Sequence, residues 1–130
     1  MEYTDYGALS IKATGANAFP VENALVRIRG ASEENRFIEY SRVTDEDGAT
    51  QKVYLPAPRL ADSLAPSPPE APYAIYDVQV SKEGYYTSNF YGVSVFPGIY
   101  AILPVNMIPL RENKSESIDS TITQNEKLLK

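Results

Sequence analysis

The stretch Thr44-Asp45-Glu46-Asp47-Gly48 limits what this chain can fold into more than any other. It separates two runs with strand character, residues 37–44 and 50–55, and it carries the chemistry of a tight turn. Asp47-Gly48 permits the positive φ such turns demand, and the Thr44 and Asp45 side chains can accept hydrogen bonds from backbone N–H groups inside the turn. The pattern predicts a β-hairpin, with Val53 and Leu55 pointing into a core. Asp45 and Asp47 also stand at alternate positions, as oxygen ligands do where a calcium loop begins. Such a loop would continue with a third acidic position and a bidentate glutamate, whereas here a strand begins. The turn is the preferred reading, calcium stays the open alternative, and no metal ligands are assigned.

The rest of the chain alternates in the same way. Residues 7–14 place Leu9, Ile11 and Ala13 on one face and predict the first strand. In the next run Ala24, Val26 and Ile28 point inward, and Pro20 and Asn23 delay pairing until about Ala24. Residues 30–36 form a polar connection. The clearest strand is residues 73–81, with Tyr76, Val78 and Val80 on one side and Ile75, Asp77 and Gln79 on the other. Lys82-Glu83-Gly84 turns the chain. Residues 85–96 then form a strand pair or one bent strand with Gly92 as a bulge. Pro97-Gly98 is a further turn, and residues 99–110 make a last strand that Pro104 and Pro109 confine to an edge or interrupt. Short alternating runs between turn signals predict an all-β sandwich of about seven strands, occupying residues 1–110.

Two segments depart from this pattern. Prolines at 56, 58, 66, 68, 69 and 72 exclude regular strand or long helix from residues 56–72 and favour extended, polyproline-like backbone. Its alanines and leucines fit packing across a sheet edge. The other reading is a partner-binding loop, with Pro58, Leu60, Leu64, Pro68 and Pro69 as the candidate contacts. From residue 111 to 130 the composition shifts to eight charged residues among serines and threonines. This predicts a polar, flexible tail, in which Ile118, Ile122, Leu128 and Leu129 could line a weak helix on a partner.

Composition removes whole function classes. The 130 residues contain neither cysteine nor histidine. That excludes disulfides, thiolate metal sites, Ser-His-Asp triads and histidine acid–base chemistry. The remaining carboxylates, among them Asp45, Glu46, Asp47, Asp77 and Glu83, show no pairing from which acid–base catalysis can be argued. No enzymatic activity, catalytic residue or cofactor is expected. Seventeen acidic against twelve basic residues give a net charge of −5, which disfavours nucleic acid as a partner. No apolar run approaches membrane-spanning length, and residues 1–6 lack a basic region followed by an apolar one, so neither membrane insertion nor a signal peptide is expected. Cytoplasmic synthesis, another export route and excision from a larger protein all remain open.

The motifs Pro20-Val21, Ala24-Leu25-Val26-Arg27-Ile28, Thr44-Asp45-Glu46-Asp47-Gly48, Tyr76-Asp77-Val78-Gln79-Val80 and Gly84-Tyr85, in this order, resemble the carboxypeptidase regulatory-like domain. That family belongs to the transthyretin-like sandwiches, and the resemblance covers about residues 7–110. The motifs are turns and core positions, so they imply a fold and say little about a ligand. Typical members pass from the return strand to the Tyr-x-Val strand through a short Pro-Gly turn, whereas here residues 56–72 intervene. With Val95-Phe96-Pro97-Gly98-Ile99 and Met107-Ile108-Pro109-Leu110, this insertion resembles a subgroup of spore-forming Firmicutes. The subgroup is associated with the non-catalytic N-terminal part of spore cortex-lytic proteins and with short stand-alone relatives. The resemblance implies a spore or cell-wall context and no catalytic role. Transthyretin-like hydrolases that open ureide rings rely on histidine, so that branch is excluded.

Two functional expectations follow. One is a structural or protein-interaction module that docks to a protein or to itself through residues 56–72 and the tail. The other is a peptidoglycan- or carbohydrate-binding module that stacks sugars on Tyr85, Tyr86, Tyr91 and Tyr100, with Phe90 nearby. Against the second stands the bland reading that tyrosine is a good half-buried strand residue, and tryptophan is absent.

Overall fold

The structure, a computed structural model, describes residues 5–59, 73–110 and 117–121. Eight strands lie among them: β1 (Asp5–Thr14), β2 (Leu25–Gly30), β3 (Glu39–Val43), β4 (Val53–Ala57), β5 (Ala74–Ser81), β6 (Thr87–Val95), β7 (Tyr100–Asn106) and β8 (Ser117–Thr121). They form two sheets, ordered β4-β1-β7 and β3-β2-β5-β6-β8, and the chain is the all-β sandwich its alternation predicts. Two pairings, β1 with β7 and β6 with β8, are parallel, and the rest are antiparallel. Among the described residues no helix is long and apolar enough to cross a membrane.

The core forms because period-two alternation points one side of every central strand inward. Leu9, Ile11 and Ala13 of β1 and Val53 and Leu55 of β4 meet Val26 and Ile28 of β2, Tyr76, Val78 and Val80 of β5, and Val93 and Val95 of β6. Val21, Ala24, Ala57, Ala74, Val105 and Met107 complete the layer. At one end the Tyr76 hydroxyl crosses between sheets and donates to the Pro56 carbonyl at 2.6 Å. The connection after β2 is held by buried Asn35, whose Oδ1 accepts from the Ser32 N–H and whose Nδ2 donates to the Ile75 carbonyl.

The expected hairpin across residues 44–48 does not form. β3 is the edge of one sheet and β4 the edge of the other, so this turn is a corner that carries the chain between layers. Asp45 closes it as expected: Oδ1 accepts from the Asp47 and Ala49 N–H groups, at 2.9 and 3.1 Å. Gly48 sits at φ +79° and passes close to the Ala13 carbonyl oxygen, where a Cβ would be 2.4 Å away, which demands glycine. Thr44 departs from expectation. Its buried hydroxyl accepts from the Ala24 N–H at 2.8 Å and donates to the Val21 carbonyl at 2.7 Å, fastening the corner to the start of β2. Beyond the turn, Ala13 donates to the Gly48 carbonyl and Thr50 to the Ile11 carbonyl, so β1 captures the chain that a hairpin would have returned to β3.

Two further boundaries differ from the sequence reading, and two agree with it. Pro56 lies inside β4, opposite Tyr6; β4 is an edge strand, where a missing N–H is tolerated. Residues 111–130, expected to be a flexible tail with a weak helix, contain β8, paired in parallel with residues 87–91 of β6. The β6 edge offers unpaired backbone groups that a polar, β-branched segment can satisfy, whatever its composition. Residues 85–96 hold a single bulged strand, β6, as one of the expected alternatives had it: Tyr91 and Gly92 together face Asp77, and Gly92, at φ +74°, donates to Asp77 Oδ1 at 3.0 Å. Pro104 lies in β7, at the other edge of the smaller sheet.

Candidate functional site

A sandwich buries its inner faces, so any site must lie on its outer faces, its edges or its loops. On the smaller sheet, register places Ala8 of β1 directly between Tyr54 of β4 and Tyr100 of β7. Tyr54 is 59% and Tyr100 48% exposed, while Ala8 and Ser10 beneath them are buried. The rings therefore lie over the small residues of β1, and Tyr6 (54%) and Ile102 (59%) extend the patch along and across the same face. Lys52 stands above it, its Nζ 4.4 Å from the Tyr100 ring centre and 6.0 Å from that of Tyr54. The Tyr100 hydroxyl and Ser10 Oγ share a 2.8 Å hydrogen bond. This is a contiguous apolar, aromatic surface with a cationic rim.

The outer face of the larger sheet is polar around its centre, with Leu25 and Val43 exposed towards one end. Outward positions of β2 bring Arg27 and Arg29 opposite Gln79 and Asp77 of β5, and a shallow cavity of about 180 Å³ opens above them. The Arg27 guanidinium binds Glu39 of β3 at 2.5 Å. That hydrogen bond, with the guanidinium charge, holds the Glu39 carboxyl below its ordinary value. Among the described residues no group of three or more acidic side chains gathers as a metal site would require.

The sequence candidates are scattered over this frame. Tyr85 is half-buried, packs against the core and bridges to Pro109. Tyr86 is half-buried beside it, its N–H donating to the Ile108 carbonyl. Tyr91 sits at the bulge on the outer face of the larger sheet, and Tyr100 on that of the smaller. The outer faces of a sandwich point apart, so these tyrosines build no common platform. Phe90 turns inward against the core. Pro58 is buried where the chain leaves β4 and offers little surface to a partner; Leu60, Leu64, Pro68 and Pro69 lie outside the described residues. Asp45 spends its carboxylate on its own turn, which places its pKa below the ordinary value chiefly through the Ala49 N–H and then that of Asp47. Sequence reasoning missed Tyr6, Tyr54 and Ile102. Each is an outward position of a strand, but only the register of β1 with β4 and β7 shows that they adjoin.

Comparison with known proteins supports the fold. No protein-family model matches the chain, and a search of curated proteins finds no match. Among solved structures, the Bacillus anthracis TIE protein aligns over 82% of this chain and 17% of its own, with 17% identity and a TM-score of 0.54. The 3-chlorocatechol 1,2-dioxygenase of Rhodococcus opacus 1CP aligns over 84% of this chain and 61% of its own, with 13% identity and a TM-score of 0.57. The catechol 1,2-dioxygenase of Pseudomonas arvilla C-1 does so over 87% and 55%, with 13% identity and a TM-score of 0.54. At such identities the likeness shows a shared β-sandwich, and this chain spans less than two thirds of each of those proteins.

Proposed function

We propose that this chain is a non-catalytic protein-interaction module, a sandwich of the carboxypeptidase regulatory-like kind, that docks a protein partner on the outer face of its smaller sheet. The observation that carries this reading is the patch of Tyr6, Tyr54, Tyr100 and Ile102 over buried Ala8 and Ser10. Contiguous apolar surface rimmed by polar groups marks interaction sites, and tyrosine is favoured at them because it brings large area at low conformational cost. A protein fits this patch better than a glycan does. One approach to the Tyr100 ring is taken by the Lys52 ammonium and its hydroxyl is engaged by Ser10, while exposed Ile102 offers nothing to a sugar hydroxyl. The absence of histidine and cysteine supports a non-enzymatic role.

The test is site-specific photo-cross-linking in the producing cells, with a benzophenone side chain placed at Tyr54 and, as a control on the opposite sheet, at Ser41. A discrete protein adduct from position 54 alone is expected; equal adducts from both positions, or none, would overturn the assignment. The spore or cell-wall setting implied by the insertion at residues 56–72 belongs to the same reading. Co-sedimentation of residues 1–130 with vegetative and cortex peptidoglycan checks the partner class: the protein should stay in the supernatant, and pelleting lost on Tyr54→Ala would move this face to wall glycan.

A further inference from the structure

The polar cavity on the larger sheet is independent of the tyrosine patch, because it opens on the opposite side of the sandwich. Its floor is built by register. Arg27, Gln79 and Asn89 form one row across β2, β5 and β6, and Arg29, Asp77 and the bulge at Tyr91-Gly92 form the next. Most of these groups are already held in place. Gln79 Nε2 donates to Asn89 Oδ1 at 3.0 Å, Asp77 Oδ1 accepts from the Gly92 N–H at 3.0 Å, and Arg27 is paired with Glu39. Fixed planar polar groups are what an oriented ligand requires, since little side-chain entropy remains to be lost when it binds.

Arg29 is held less tightly. It is exposed, lines the cavity between Glu39 of β3 and Asp77 of β5, and its charge helps to lower the Glu39 pKa, but it makes no hydrogen bond or ion pair among the described residues. A guanidinium presents a flat fork of donors that matches a carboxylate in bidentate fashion. Beside it the bulge re-aims the chain, as bulges do near binding sites, and sets the half-exposed Tyr91 at the cavity wall. An aromatic face next to side-chain amides and a carboxylate suits a ring whose one side is C–H and whose rim is hydroxyl.

We propose that this cavity binds a saccharide bearing a carboxylate. The sugar carboxylate sits on Arg29, ring hydroxyls donate to the second oxygen of Asp77 and exchange hydrogen bonds with the Gln79–Asn89 amide pair, and the sugar ring packs on Tyr91. The volume, equal to about six liquid waters, admits one pyranose ring and leaves the rest of a chain in solvent. A net charge of −5 on the protein disfavours densely charged polyanions but leaves a single carboxylate on an arginine favourable.

The experiment is an NMR titration of the whole chain with a glucuronic-acid disaccharide and, in parallel, with the matching neutral glucose disaccharide. Saturable shifts confined to β2, β5, β6 and Glu39 of β3 are expected, with affinity of the order of millimolar. The acidic sugar should bind about tenfold more tightly than the neutral one, because charge-assisted bonds exceed neutral ones by that order. Arg29→Ala should erase the difference between the two sugars and Arg29→Lys should restore part of it. Tyr91→Ala should weaken both. Tyr54→Ala, on the far sheet, should change neither, so failure here leaves the docking assignment untouched and the reverse. Each variant is exposed in the fold, and its spectrum reports directly that the sandwich is intact. Equal binding of the two sugars, absence of saturable shifts, or equal binding of an acidic dipeptide would overturn the proposal.

Discussion

The corner at residues 44–48 can be tested by replacing Thr44 with valine, which keeps the shape of the side chain and removes only its hydroxyl. The hydroxyl is buried and serves two backbone groups, accepting from the Ala24 N–H at 2.8 Å and donating to the Val21 carbonyl at 2.7 Å. Among the described residues no other backbone partner serves either group. A hydrogen bond is worth about 1 kcal/mol net, and a buried donor or acceptor left unpaired costs about 1–3 kcal/mol. The extra methyl contributes at most about 1 kcal/mol in return. Thr44→Val should therefore destabilise the fold by about 2–4 kcal/mol. For a domain of this size that is a fall in Tm of the order of 10 °C. Thr44→Ser, which retains the hydroxyl and loses one methyl, should cost about 1 kcal/mol. Urea unfolding followed by circular dichroism measures both, with an unchanged slope confirming a common unfolded state. If serine costs more than valine, the corner is held by packing of the methyl group and the hydrogen-bond argument fails.

Other consequences can be checked alongside it. Tyr76→Phe removes the link from β5 to the Pro56 carbonyl and should cost about 1–2 kcal/mol in the same urea experiment; an unchanged midpoint would show that the two sheets do not depend on it. Asp45 has its pKa lowered by the Ala49 and Asp47 N–H groups. Its stabilising effect is thus fully present above its unfolded value and is lost as pH falls through the lower folded value. Asp45→Asn should be less stable than wild type at neutral pH, with the gap closing in acid; a gap that is constant with pH would refute the carboxylate's role. Ending the chain at residue 110 removes β8, and amide exchange should then quicken at residues 87–91 of β6 while the β2–β5 pair stays protected. Uniform loss of protection would mean that β8 is integral to the whole fold.

Much of this architecture is written in the order of residues. Alternation alone places Leu9, Ile11, Ala24, Val26, Ile28, Tyr76, Val78 and Val80 in the core, because a pleated strand must send neighbouring side chains to opposite sides. The turn chemistry of Asp45, Asp47 and Gly48 and the bulge at Gly92 were equally legible, since both depend on backbone angles that few residues adopt. Lacking histidine and cysteine, the chain also carries no imidazole acid–base group and no thiolate metal ligand.

Which strand pairs with which was decided by tertiary structure. Period two tells the side on which a residue lies and not the sheet to which its strand belongs, so a corner between layers and a hairpin within one look alike in sequence. Thr44 reaching Ala24 and Val21, and β1 capturing residues 48–50, select the corner. The same limit hid both outer-face sites. Tyr54 and Tyr100 are far apart in the chain and become neighbours because each pairs with Ala8; Arg29 comes to stand opposite Asp77 only across the β2–β5 ladder. It also hid β8, whose polar residues form a strand because an open β6 edge supplies the backbone partners that its composition does not announce. Local chemistry writes itself into sequence, while adjacency between distant strands exists only once the sheets have closed.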